Sequence, residues 1–220
     1  MLVFLDDSSK PKVTSKGKMF SVGIIIPCIY EGKEILKTVK NASSVDYKNK
    51  KVYLVLNKSS SKETIVYANY ARKKYNSVVI EAPFNGKSKV MNYAIKKFVK
   101  EDIVLVLDAD TQVEKNILNV ILPYFYDKKV AAVVSSVKVT NYKDSIISWA
   151  QKYEYDLSIL ARNASSKINS LIIAHGAGSA FRRSTLKQIK YFDEDNVTED
   201  LEIGIRLNIN NYKVENDLNA

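Results

Sequence analysis

Two carboxylates, one position apart, close an apolar run in the segment IVLVLDAD, residues 103 to 110. Unpaired charge at the end of a buried strand is costly, so Asp108 and Asp110 need a partner. In an extended chain, residues i and i+2 project to one side, and two carboxylates placed so make a cation site. Mg²⁺ or Mn²⁺ is commonly held by one or two carboxylates, with substrate phosphates and water completing the shell. A second segment, NGKSKVMN at 85–92, follows a strand pattern and opens a helical one. A helix N-terminus with Gly86 before it and Lys87 in its first turn suits a phosphate. In a third, VTEDLEIGIRL at 197–207, Glu199 and Asp200 open a helix behind Thr198, a natural N-cap. Acids there are expected from the helix dipole alone. The functional alternative is a carboxylate placed to take a proton.

Each segment has a bland counterpart: solvated loop acids, a chance Gly-Lys pair, an ordinary helix start. Two rival motifs also compete. GKS at 86–88 ends like the phosphate loop of NTPases, and VLVLD resembles their Mg²⁺-holding strand. The full pattern wants glycine five positions before Gly86, where Glu81 stands, and Pro83 and Phe84 occupy the would-be cradle. IIAHGAGSAF at 172–181 resembles a dinucleotide fingerprint, but Phe181 fills its third small position and the segment comes late in the chain.

Composition narrows the field. The 220 residues are 46% hydrophobic, enough for one domain with a sizeable core. One Cys (Cys28) and one His (His175) exclude a disulfide framework and a Cys/His zinc site, and point to a reducing cytoplasm. Lys+Arg 34 against Asp+Glu 24 leaves +10, which fits phosphate-bearing ligands, nucleic acid or an anionic membrane face. The lysines are dispersed and the tyrosines scattered, so no nucleic-acid partner is expected. The apolar runs fall far short of the roughly 18 to 20 residues of a spanning helix, and MLVFLDDSS does not read as a signal peptide.

These residues must be positioned by elements. After a basic tail over 1–20, buried strands are expected at 21–27, 51–56, 77–82 and 102–108. Amphipathic helices fall between them, at 31–42, 62–75 and 88–99. That alternation predicts an α/β fold with a mostly parallel sheet flanked by helices. Ligands in such sheets sit beyond the carboxyl ends of the strands. The second half is less regular: a strand at 130–140, a helix at 144–164, a strand at SLIIA (170–174) and a helix at 199–209. Ile146, Trp149, Ala150, Tyr153, Leu157 and Leu160 recur at helical spacing and read as core cover.

Taken together, the segments resemble the inverting glycosyltransferases of family 2, which have the Rossmann-like GT-A fold. The resemblance runs in order through VGIIIPCIYEG, GKSKVMNYAI, VLDAD as a DxD motif, GAGSAFRR and TEDLEIGIRL as a TED motif, covering roughly residues 21 to 215. The stretch YFDEDNVTEDLEIGIRLNINNYKV is similar to the branch of hyaluronan, cellulose and chitin synthases. The resemblance implies one domain over 21–220, with a nucleotide-binding half at about 21–110 and an acceptor-binding half at about 111–220. It implies that Pro27, Tyr30 and Glu31 line the donor pocket and that Lys87 reaches the diphosphate, while Asn57, where the family usually has an acid, can still hydrogen-bond a base edge. Asp108 and Asp110 would hold Mn²⁺ or Mg²⁺, Gly178, Arg182 and Glu199 would serve the acceptor and phosphate side, and Asp200 would be the general base. The implied partner is a nucleotide-sugar donor, UDP-linked by preference, with a carbohydrate, lipid or protein acceptor.

The chain departs from the family pattern in three places. Leu56 and Asn57 stand where paired acids are usual, GAG replaces the commoner acceptor-side motif, and no Q-x-x-R-W motif or membrane helix follows before Ala220. The expectation is therefore a compact soluble transferase, a fragment needing a partner or a decayed relative, in the cytoplasm and with room for peripheral contact at the inner face of a membrane. The alternatives are a non-catalytic nucleotide-sugar-binding module and, from another class, a P-loop-like NTPase.

Overall fold

The structure, a computed structural model, describes residues 19–136, 142–167, 177–196 and 198–217. The expected basic tail falls almost wholly outside these residues. So do SLIIA, His175 and the far end of the strand expected at 130–140.

Seven strands, counted among the described residues, form one sheet in the order β3-β2-β1-β4-β6-β5-β7. The first four are β1 (Val22–Cys28), β2 (Lys50–Leu56), β3 (Val78–Glu81) and β4 (Ile103–Val106), all paired parallel. The helices between them are α1 (Ile35–Ser43, behind a 3₁₀ turn at Gly32–Glu34), α2 (Lys62–Tyr75) and α3 (Lys87–Lys97). This is the predicted βαβαβαβ unit. Its strands are β-branched and apolar because both faces are covered, and all seven residues of β1 are buried.

Alternate residues feed two cores. Ile24, Ile26, Leu54 and Leu105 meet α1, α2 and a short helix α4 (Ile117–Ile121). Ile25, Val55, Val104 and Val106 face α3. Local chemistry sets the helix ends. Ser61 Oγ accepts from Thr64 N at the start of α2, and Asn76 closes it in the left-handed conformation.

The second half completes the sheet with β5 (Val130–Val134), β6 (Ser179–Arg182) and β7 (Lys213–Asn216). β6 runs antiparallel to both β4 and β5, and β7 pairs parallel with β5. A long helix α5 (Ile146–Lys167) and helices α6 (Arg183–Gln188) and α7 (Glu199–Ile209) lie among these strands, with Leu186, Ile203 and Leu207 joining the α3-side core. The mixed α/β architecture matches the expectation, while the short elements β6, β7, α4 and α6 were not anticipated.

Two expectations need correction. The apolar stripe of α5 is not core cover: Ile146 is 86% exposed and Trp149 60%, with Tyr153, Leu157 and Leu160 also exposed. The helix buries Ile159 with the polar Arg162, Asn163 and Ser166 instead, because its far end meets β7 through Ser166, which donates to Glu215 Oε2. Likewise, β4 ends at Val106, and Asp108 to Asp110 form a turn in which Thr111 N donates to Asp108 O. The alternation of an extended chain therefore does not set where the two carboxylates point.

Candidate active site

The strand order reverses between β1 and β4, whose neighbours lead away in opposite directions. A crevice at the carboxyl ends of such a pair is where open α/β sheets bind ligands. The residues beyond Cys28 and Val106 line it.

After β4, Leu107 N donates to Ile25 O, and α1 grips the turn from the side. Thr38 Oγ1 donates to Ala109 O at 2.5 Å, and Asn41 exchanges two hydrogen bonds with the backbone of Val113. Buried Ala109 is thereby pinned, with Asp108 and Asp110 on either side facing the solvent boundary. Thr38 and Asn41 escaped the sequence reading, although a polar residue on the buried face of an amphipathic helix is a signal that it has a partner.

Lys87, the first residue of α3, reaches across to this turn. Its Nζ lies 2.6 Å from Asp108 Oδ1 and 3.8 Å from Glu199 Oε1. One ammonium therefore joins the third helix, the turn after β4 and the start of α7. Asn92, buried on α3, sets the relative placement of these elements. Its amide donates to Phe192 O and Glu194 Oε1 and accepts from Phe192 N, tying α3 to the segment that leads into α7. It too was missed. Next to Glu199, Asp200 Oδ1 accepts from Leu201 N, so the carboxylate caps its own helix. A recess of about 310 Å³ opens beside Lys87, lined also by Asn85, Gly86, Ser88, Lys89, Glu194, Asn196 and Glu199. Gly86 there has φ +97° and open space where a Cβ would stand, which leaves backbone accessible to an anion.

The ends of β1 and β2 form the other wall. Pro27 is buried within β1, and Tyr30 stands 70% exposed just beyond it. Glu31 Oε2 accepts from Ile29 N, closing the turn. Gly32 follows with φ +53°, where a Cβ would meet the Glu63 carboxylate at 3.0 Å. Ser60 Oγ donates to Cys28 O and so fastens the β2 loop to the end of β1. Asn57 Oδ1 accepts from Ser59 N, which commits its oxygen to the loop.

Gly178 and Arg182 part company. Gly178 N donates to Val106 O, beside the crevice. Arg182 pairs with Ile103 at the opposite end of β4, about 13 Å away at a strand rise of about 3.3 Å per residue. Its guanidinium donates to the carbonyls of Phe125, Asp127 and Val130. Arg182 thus fastens the far end of β6 to the start of β5, away from Gly178 and the crevice. The antiparallel strand that follows Gly178 carries it there.

The donor set fits a hard divalent cation only in part. Asp108 and Asp110 offer oxygen ligands suited to Mg²⁺ or Mn²⁺. Among the described residues, no group of three or more His, Cys, Asp or Glu could hold a metal ion. The remaining ligands must come from a bound molecule and water, as is usual for Mg²⁺ beside a phosphate. The phosphate-loop reading finds less support, since the segment before α3 leaves an edge strand and Phe84 O accepts from Lys58 N.

Residues 20–215 match the family model described as glycosyltransferase-like family 2. The chain is 24% identical over 211 residues to the poly-beta-1,6-N-acetyl-D-glucosamine synthase of Staphylococcus aureus (strain COL), covering 94% of this chain and 50% of that protein. It therefore spans about half the length of the curated relatives it matches. Among solved structures it is similar to the mannosyltransferase PcManGT from Pyrobaculum calidifontis in complex with GDP-Man and Mn²⁺, with a TM-score of 0.76 and 22% identity over 91% of this chain and 55% of that one. It is also similar to S. aureus TarS 1–349 in complex with UDP-GlcNAc, with a TM-score of 0.64 and 17% identity over 91% of this chain and 56% of that one. These likenesses establish the GT-A architecture.

Proposed function

Because the chain belongs to the glycosyltransferase-like family 2, we propose that it is a metal-dependent inverting glycosyltransferase that moves a sugar from a nucleoside-diphosphate donor to an acceptor hydroxyl. The observation that carries this reading is the meeting of Lys87, Asp108 and Glu199 at the carboxyl end of β4. Three segments far apart in sequence converge there, beside a recess of a size suited to phosphates and a sugar.

In this reading the nucleotide-binding half, residues 21–110, holds the donor. The base and ribose lie against Pro27, Tyr30, Glu31 and Asn57. The diphosphate lies at the start of α3, where uncapped backbone N–H groups and Lys87 meet its charge. Asp108 and Asp110 would hold a divalent cation, which would supply electrostatic stabilisation of the diphosphate's charge. The acceptor enters from the side built by residues 111–220, near Gly178 and Glu199. Its hydroxyl oxygen bonds to the anomeric carbon as the carbon–oxygen bond to the diphosphate breaks, and Asp200 takes the hydroxyl proton. Attack from the face opposite the leaving group inverts the configuration. A uridine donor is favoured, since the relatives include a UDP-GlcNAc complex and an N-acetylglucosamine polymer synthase; the GDP-Man complex makes guanosine the competitor.

None of the described helices is long and apolar enough to cross a membrane. The exposed Trp149 face of α5 and the charge of +10 support peripheral contact with an anionic cytoplasmic surface.

Thermal stabilisation by UDP or GDP with Mn²⁺, compared with ATP and Mg²⁺, tests the donor site. Stabilisation by ATP alone would end this reading. Nucleotide release from a panel of nucleotide sugars then tests catalysis. Asp200→Asn is expected to lose about 10²- to 10⁴-fold in kcat while keeping nucleotide affinity; undiminished turnover would remove it as the base.

A further inference from the structure

We propose that the Lys87 ammonium occupies the Asp108 carboxylate in place of the divalent cation until a donor diphosphate draws it away. The inference rests on the donor reading above and adds an order to it: the empty protein takes up the cation weakly, and the diphosphate makes room for it.

The geometry supplies the competition. Lys87 Nζ sits 2.6 Å from Asp108 Oδ1, the spacing of a charge-assisted hydrogen bond. A second cation on the same carboxylate would face a like charge at close range. The contact is also made to be broken. Side-chain exposure is 31% for Lys87 and 38% for Asp108, and ion pairs this open to water are weak. Lysine carries its charge on a flexible stem with three donors and no fixed fork, so it can change partners without moving the backbone.

Its next partner is close at hand. Lys87 opens α3 beside the recess, at a helix start that no side chain caps, which suits an incoming anion. Glu199 Oε1, 3.8 Å from the ammonium, offers a second anchor on the helix that carries Asp200. A diphosphate that recruits Lys87 therefore frees Asp108 in the same event. Linkage makes the effect reciprocal: what displaces the lysine from Asp108 raises cation affinity, and a bound cation favours the lysine on the phosphates.

The test measures Mn²⁺ binding in the absence of nucleotide, by the electron paramagnetic resonance of free Mn²⁺. Lys87→Met is expected to bind Mn²⁺ at least about fivefold more tightly than the native protein, the lower end of ordinary coupling. It should bind UDP more weakly. Lys87→Arg, which keeps the charge, should retain the weak native Mn²⁺ affinity. Lys89→Met, which removes a neighbouring charge lining the same recess, should leave Mn²⁺ affinity unchanged. Lys87→Gln serves as a second neutral variant should the methionine lower stability. No gain in Lys87→Met and Lys87→Gln, including no binding in any variant, overturns the proposal. An equal gain in Lys89→Met also overturns it, because the effect would then be a general field. Native protein that is stabilised by UDP or GDP with Mn²⁺ while the Lys87 variants show no gain leaves the donor reading standing and removes this inference alone. Native protein indifferent to both nucleotides removes the donor reading, and with it the diphosphate half of the exchange.

Discussion

A Cβ at Gly178 would stand 2.2 Å from Ser135 Oγ, on a backbone whose φ of +78° side-chain-bearing residues rarely adopt. The same glycine donates to Val106 O and accepts from both the N–H and the hydroxyl of Ser135. Its first duty is to let β6 begin flush against β4 and β5, whatever it also offers an acceptor. Gly178→Ala should therefore cost about 1 to 3 kcal/mol of stability in denaturant unfolding, from backbone strain and overpacking. Part of that loss should return in the Ser135→Ala background, where the hydroxyl is gone. A variant as stable as the native protein would refute this account. Arg182, at the opposite end of β6, likewise spends its guanidinium on three backbone carbonyls. Its neighbours in the sequence gave no hint, because the direction of a strand leaving a glycine is decided by what it pairs with.

The helix α5 shows how an amphipathic pattern can be real and its orientation still be misread. Periodicity reports that one face is apolar, and only packing says whether that face looks inward. Trp149→Ala is expected to change stability by less than about 0.5 kcal/mol, as exposed positions do. Leu105→Ala, wholly buried in β4, should cost about 2 to 5 kcal/mol; comparable losses at the two sites would contradict the outward orientation. Where α5 meets β7, burial raises the carboxyl of Glu215 above the ordinary glutamate range, against the opposing help of Ser166 and Lys213. A raised value in the folded state means that its contribution is favourable below the unfolded value, about 4.3, and is lost as pH rises through the folded one. Glu215→Gln, which can still accept from Ser166, should therefore melt above the native protein at pH 7. The advantage should vanish below the ordinary glutamate value; a constant difference across pH would show that the charge is not its cause.

At the scale of the whole molecule, one continuous sheet carries strands from both halves of the chain, and its switch point gathers the candidate site. Cys28 lies at the end of β1 beneath that crevice, fully buried, with its thiol donating to Ile26 O. Burial first, and the charge of Glu31 second, hold the thiol well above its usual range. Cys28 should resist thiol reagents in the native protein and react at the rate of unfolding, so its labelling in denaturant should track loss of helical circular dichroism. Fast native labelling would mean that the crevice floor opens locally. The parallel core from β1 to β4 and the choice of Lys87, Asp108 and Glu199 as candidate residues were legible in the chain, because buried parallel strands and helix starts are local signals. The tertiary structure alone decided that Lys87 bridges Asp108 and Glu199, that Asn92 and Thr38 hold the supporting segments, and that Arg182 lies at the far end of β6 from Gly178. It also decided that α5 turns its apolar side outward and that β6 runs antiparallel. The reason is physical: these outcomes depend on contacts between residues far apart in sequence, whose distances the chain order does not encode.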